Sequence, residues 1–289
     1  MSGRTLFDKI WDAHVIEDLG GGVHLLHVDR HLMHELSGHR GQGELKKRGL
    51  RMRNPELTIG SMDHVVGTAP GMKSGYQPWA NKIIETFRVE SKAAGVKVYD
   101  IGEDGQGIVH VVGPELGFTL PGVTLLCGDS HTCTHGALGA LAWGIGTSEL
   151  THVLATQTIV QRKPKTMRVR FDGRPARGVT AKDMVLALIG RIGAAGGVGY
   201  ALEYAGDAVA NLEMEGRLAI CNLSIELGAK VGMIAPDEKT FAYLKGRRHA
   251  PEGALWEQAL AHWRTLASDA GAISMRSARS IRCSTVTIS

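Results

Sequence analysis

At 289 residues with 43% hydrophobic side chains, the chain can bury a substantial core and is sized for about two domains. Its formal charge is +4, but Arg276, Arg279 and Arg282 lie in a final segment without Asp or Glu, so the rest carries no basic footprint for nucleic acid. Cys127, Cys133, Cys221 and Cys283 stand at irregular spacings without a CxxC pair, which argues against a disulfide framework and a self-contained cysteine metal site.

The opening MSGRTLFDKIWDAHVIED mixes charges and lacks an apolar core of signal-peptide length. No run of about 18 apolar residues follows, so a cytoplasmic chain with no membrane partner is expected. HLLHVDRH (24–31) is predicted as a strand, NKIIETFRVESKAAG (81–95) as a helix closed by Gly95, and VKVYDI (96–101) as the next strand. GVTLLCGD (122–129) reads as a buried strand whose polar end is Asp129. Strands alternating with helices in this way predict an α/β fold with a largely parallel sheet, whose ligands sit at the carboxyl ends of strands.

The basic, proline-containing QRKPKT (161–166) marks a boundary, giving one domain over 1–163 and a second over 164–272. The second opens with the strand MRVRFDG (167–173). A helix follows from Thr180, with Asp183 completing a capping box and Gly193 as its stop. LAICNLSIELGAK (218–230) predicts a short helix ending at Gly228, and Asp237 caps the one after it. The tail ISMRSARSIRCSTVTIS (273–289) shows neither periodicity; it is expected to be disordered or foreign to the fold, from a truncated or shifted reading frame. Eleven of the thirteen histidines precede residue 153, which assigns histidine chemistry to the first domain.

CGDSHTCTHGALGALAWGIGTSE (127–149) is the densest polar stretch. His131 and His135 are four apart, as in two-histidine zinc sites, but glycines bracket them and the HExxH glutamate is missing. Ser130 lies in GDSHT instead of GxSxG, and adjacent residues of an extended chain face opposite ways, which disfavours a Ser130–His131 nucleophile and base. GIGTSE places Glu149 where a dinucleotide loop needs its third glycine, so these glycines are assigned to turns and close packing. Asp63 with His64, His110, Asp129, His131 and Glu226 supply carboxylates and imidazoles that could pair. A carboxylate accepting one ring N–H fixes the tautomer and raises the basicity of the other nitrogen, which suits acid/base work near neutral pH.

VDRHLMHE, TIGSMDH, GQGIVHVVGPELGFTLPG, the CGDSHT stretch with HVLATQT, GGVGYALEYAGDAV, the long run from Met214 to Arg247 and HAP resemble, in order, the large subunits of the 3-isopropylmalate dehydratase family in the aconitase superfamily. The resemblance covers about Thr5 to Ala270 and implies aconitase-like three-layer α/β/α domains, the first two of three. It implies a hydro-lyase isomerising 2-isopropylmalate to 3-isopropylmalate by dehydration and rehydration in leucine biosynthesis, with a 4Fe-4S cluster as Lewis acid. By the same resemblance Asp63 pairs with His64 near the departing hydroxyl, His110 with Asp129, and His131 with Glu226; His34, Ser130 and Asn222 lie beside substrate and cluster.

The resemblance further implies a small subunit as partner, bringing a swivelling domain and a basic serine. The family's cluster cysteines, in GSCTN-like and C-x-x-C motifs, have no counterpart in this chain, so no metal ligand is assigned. Methylmalate, dimethylmaleate or homoaconitate as substrate, and a truncated chain that binds its partner without turnover, are the alternatives.

Overall fold

The computed structural model describes residues 3–272 and, for the strand at 276–282, the backbone. Helix α1 (Leu6–His14) starts at Thr5, whose hydroxyl accepts from the Asp8 N–H, and buries Leu6, Phe7, Ile10 and Trp11 at helical spacing. Strands β1 (Val15–Gly20) and β2 (Val23–His27) form a hairpin, and β3 (Arg30–His34) follows. Where the sequence predicted one strand over 24–31, the chain turns between His27 and Arg30. The turn is fixed by Asp29, whose carboxylate accepts the Thr124 N–H at 2.8 Å while its own N–H donates to Thr124 Oγ1 at 2.9 Å.

Then come α2 (Glu35–Lys47), β4 (Thr58–Ser61), α3 (Pro78–Ala94), β5 (Lys97–Tyr99), α4 (Val109–Glu115) and β6 (Thr124–Cys127). A 3₁₀ segment over Ser130–Leu138 leads to β7 (Leu141–Gly144), α5 (Thr147–Thr156) and β8 (Thr158–Arg162). α3 ends as its sequence predicts, at Gly95 with φ 79°, a conformation without Cβ penalty only for glycine. β8 pairs with β2 in a three-stranded antiparallel sheet. The other five strands form a parallel sheet in the order β5-β4-β3-β6-β7. Strand order runs one way from β3 and the opposite way from β6. Such a reversal opens a crevice outside the carboxyl ends of the two strands, and those ends are His34 and Cys127.

The remaining chain builds a second parallel sheet from β9 (Lys165–Asp172), then α6 (Ala181–Ile192), β10 (Tyr200–Ala205), α7 (Asp207–Ala210), α8 (Met214–Asn222), β11 (Val231–Ile234), α9 (Glu238–Leu244), α10 (Gly253–Trp263) and β12 (Arg276–Arg282). Thr180 and Asp183 form the predicted box at α6, and Asp237 caps α9. Between Arg162 and Lys165 the chain passes from the antiparallel sheet to this one. Over 276–282, within the tail expected to be disordered or foreign to the fold, the backbone runs parallel to β9, Arg276 opposite Met167 and Arg282 opposite Asp172. A sheet edge recruits a strand through backbone N–H and C=O groups, so side-chain alternation is not required. The rest of that tail lies outside the described residues.

One apolar cluster runs across both parallel sheets, from Leu126 and Trp143 to Met167, Tyr204 and Met233. The 3₁₀ segment crosses between them. At Gly136 an added Cβ would fall 1.8 Å from the Gly232 carbonyl oxygen, so glycine lets the two backbones meet there. That contact brings the end of α8 against the residues following β6.

Candidate active site

The crevice gathers side chains from five stretches of chain. β3 ends at His34; Asp63 and His64 follow β4; His110 lies in α4; Asp129, Ser130 and His131 follow β6; Asn222 and Glu226 come from the end of α8 and the turn after it. Asp129 is extended, with φ −140° and ψ 139°, and its carboxylate accepts the His131 N–H at 2.8 Å, opening the 3₁₀ segment. This turn corrects the expectation that Ser130 and His131 face apart, because Ser130 Oγ lies 3.1 Å from His131 Nδ1. It also separates His131 from His135. At three residues per turn, positions four apart diverge, and His135 goes into the core while His131 stays partly exposed.

Asp129 is the hub. His64 Nε2 donates to its Oδ2 at 2.8 Å, and His110 Nε2 donates to its Oδ1 at 2.8 Å. Burial pushes the Asp129 carboxyl up, but the hydrogen bonds from His110 and His64 outweigh it and hold the group far below the usual carboxylate range. His64 Nδ1 also faces Asp63 Oδ2 at 3.4 Å. The bonds to Asp129 and then Asp63 lift His64 to about 10, so it is an imidazolium at neutral pH. Asp63 is raised by burial and lowered more by His64 and by the Val109 N–H, for a net fall.

His34 stacks on His64 with ring centroids 3.7 Å apart. Burial first, and the charge of His64 second, depress His34 to about 4, which keeps it neutral. Its Nε2 donates to the Gly128 carbonyl at 3.1 Å, and its buried Nδ1 has no partner among the described residues. On the open side His131 Nε2 sits 3.3 Å from Glu226 Oε1, and a cleft of about 310 Å³ is lined by Asp129, Ser130, Ile145, Ile225 and Lys230. Asn222 donates its side-chain N–H to Thr134 Oγ1 at 2.9 Å. Of the nine residues singled out in the sequence, Asp129 and Ser130 line that cleft, and His34, Asp63, His64, His110, His131 and Glu226 are linked to them directly or through one another, while Asn222 is held on Thr134.

Two contributors were not assigned by the sequence reading, which weighed His135 only as a zinc-ligand partner of His131. The carboxylate of Glu35, wholly buried at the first turn of α2, accepts the backbone N–H of Asp63 at 2.8 Å and that of Val65. His135 reaches His110 from below, its Nε2 3.1 Å from His110 Nδ1. Glu35 adjoins His34 and His135 is four residues from His131, so proximity to assigned residues was their only signal.

His34, His64 and Asp129 are also the one group among the described residues spaced to grip a metal ion, with ligand atoms within 4.8 Å of each other. The His64 proton is committed to the carboxylates there, and a cation would have to displace it. Among the described residues the thiols do not fit an iron–sulfur cluster. Cys127, Cys133 and Cys221 are buried, burial pushes Cys133 up to about 12 and the other two well above the ordinary thiol range, and none joins a metal-spaced group. The glycine run fits no phosphate either, since Glu149 turns back to accept the Gly146 N–H at 3.1 Å and fills the start of α5.

A profile of the Aconitase family (aconitate hydratase) matches residues 8–288. The chain belongs to the aconitase family. It is 60% identical over 271 residues, 94% of its length, to the 3-isopropylmalate dehydratase large subunit 1 of Bradyrhizobium diazoefficiens. It spans 57% of that relative's length. The parallel sheets with flanking helices are the α/β layers that the aconitase resemblance implies. Among the described residues of this aconitase-family chain, no helix is long and apolar enough to cross a membrane.

Proposed function

We propose that this chain carries the acid/base side of a hydro-lyase site of the 3-isopropylmalate dehydratase type, acting on a small hydroxy-diacid by dehydration and rehydration. The observation that carries the reading is the unbroken series Asp63, His64, Asp129, His110 beside an open cleft. His64, charged at neutral pH, can give a departing hydroxyl the proton of Nδ1, whose 3.4 Å approach to Asp63 is the looser of its two contacts. His131, joined to Ser130 and Glu226 at the cleft, is placed to exchange a proton with substrate or solvent. His110 turns both ring nitrogens inward and acts through Asp129. On this reading residues 1–163 supply most of the acid/base set and 164–272 supply Asn222 and Glu226.

The relative's name, a large subunit, supports a small subunit that completes the cleft, and the proposal takes the chain as part of a cytoplasmic enzyme of leucine biosynthesis. The three described thiols, Cys127, Cys133 and Cys221, give a cluster no seat. The test is turnover by the heteromer with the small subunit, against 2-isopropylmalate, methylmalate, dimethylmaleate and homoaconitate. Fastest turnover of 2-isopropylmalate is expected, falling about a hundredfold or more in His64→Gln. Small-subunit binding with no turnover of any diacid would sink the enzyme reading and leave a partner-binding chain.

A further inference from the structure

The hydrogen-bonded series does not end at His110. His135 Nε2 lies 3.1 Å from His110 Nδ1, and Thr119 Oγ1 lies 2.7 Å from His135 Nδ1. Thr119 and His135 have no exposed surface. We infer that Thr119 and His135 are positioning residues: their hydrogen bonds fix the tautomer of His110 so that its Nε2–H points at Asp129.

The direction of each bond follows from a donor count. An ionised carboxylate only accepts, so His110 Nε2 carries a hydrogen. His135 is fully buried, and burial holds it well below the ordinary histidine range, so its ring has one donor and one acceptor. Its polarity is set by Thr119. The Thr119 hydroxyl has its single partner, among the described residues, in His135 Nδ1; only by donating to it does a fully buried O–H avoid being orphaned. His135 must then carry its hydrogen on Nε2 and donate to His110 Nδ1. That leaves Nδ1 of His110 as acceptor and Nε2 as donor, which is the arrangement Asp129 needs.

The backbone around the pair is shaped for it. Gly113 sits inside α4, where glycine is less favourable than alanine. A Cβ there would come within 2.9 Å of His135 Cε1 and 2.9 Å of Thr119 Oγ1. The Gly113 carbonyl also accepts the N–H groups of Phe118 and Thr119, at 2.9 and 3.0 Å, which seats Thr119 against the ring.

The inference rests on the hydro-lyase reading only for why Asp129 matters, and its test uses no turnover. The full chain, labelled with ¹⁵N-histidine, is compared by long-range ¹H–¹⁵N correlation with Thr119→Val, which keeps the shape and removes the donor, and with Thr119→Ser, which keeps the donor. Both His110 and His135 should show the Nε2–H pattern in the parent chain. In Thr119→Val, exchange of the His110 Nε2 proton with water should quicken about tenfold, as the loss of one hydrogen bond implies, and Thr119→Ser should restore it. An Nδ1–H pattern on either ring of the parent, or His110 signals in Thr119→Val identical to the parent's, would overturn the inference. A heteromer without turnover would leave these spectra unchanged, so the two readings fail separately.

Discussion

At the residue scale the centre is Asp129, held low by His110 and His64, beside His64, which Asp129 and Asp63 raise to about 10. The folded pKa of His64 stands above its ordinary 6.5, so its contribution to stability is complete below about pH 6.5 and is lost as pH rises through about 10. The slope for one proton is at most about 1.4 kcal/mol per pH unit, and partial exposure of the ring lowers it. Urea unfolding at pH 7, 8.5 and 10 should show the parent chain weakening, and Asp129→Asn should flatten that loss; equal pH profiles would refute the pairing. Glu35→Gln leaves one accepting oxygen for two N–H groups, so the loop bearing Asp63 and His64 should loosen, at a cost of about 1–3 kcal/mol. Faster amide exchange at Asp63 and Val65 is the readout. The assigned residues were legible because each sits in a short motif that can be read on its own, although the motifs are far apart in the chain. Glu35 and His135 were not, because a buried group beneath a site acts through contacts that sequence spacing does not encode.

At the element scale, local rules located the helices wherever the chain itself carries the signal. Gly95 stopped α3, Thr180 and Asp183 opened α6, and Asp237 opened α9, since each cap is a short-range hydrogen bond or a left-handed turn. One further feature is a local turn where extended chain was expected, and another is set from a distance. Ser130 faces His131 because Asp129 caps a 3₁₀ turn, and residues 276–282 form a strand because β9 offers an edge. The same distinction separates two glycines. Gly136→Ala would drive a Cβ onto the backbone of β11, which cannot step aside, and should cost about 1–3 kcal/mol or more. Gly190→Ala, inside α6 with nothing within 4 Å of the new Cβ, should instead stabilise by about 0.5–1 kcal/mol. Denaturant midpoints moving in opposite directions would confirm both; a tolerated Gly136→Ala would mean the two sheets can separate at the 3₁₀ segment.

At the scale of the whole molecule, the reversal of strand order between β3 and β6 explains why imidazoles and carboxylates far apart in sequence converge, and the same burial explains why the thiols do not take part. Cys127 ends β6, Cys133 hangs from the 3₁₀ segment with its Sγ 3.5 Å from the Asn222 carbonyl, and Cys221 closes α8. All three lie directly under the crevice, yet burial raises each pKa, and a thiol that stays protonated neither ligates iron nor attacks a reagent. Anaerobic incubation of this chain with iron and sulfide should therefore leave these three free. Mass mapping after a pulse of alkylating reagent should find them unmodified in the native state and modified after denaturation. If reconstitution protected them against alkylation in denaturant, with iron and sulfide near stoichiometric, the crevice floor would have to open far enough to turn these side chains outward. The close seat of Gly136 on β11 opposes that movement, so Gly136→Ala, by prying the two apart, should be the variant in which Cys133 first becomes reactive.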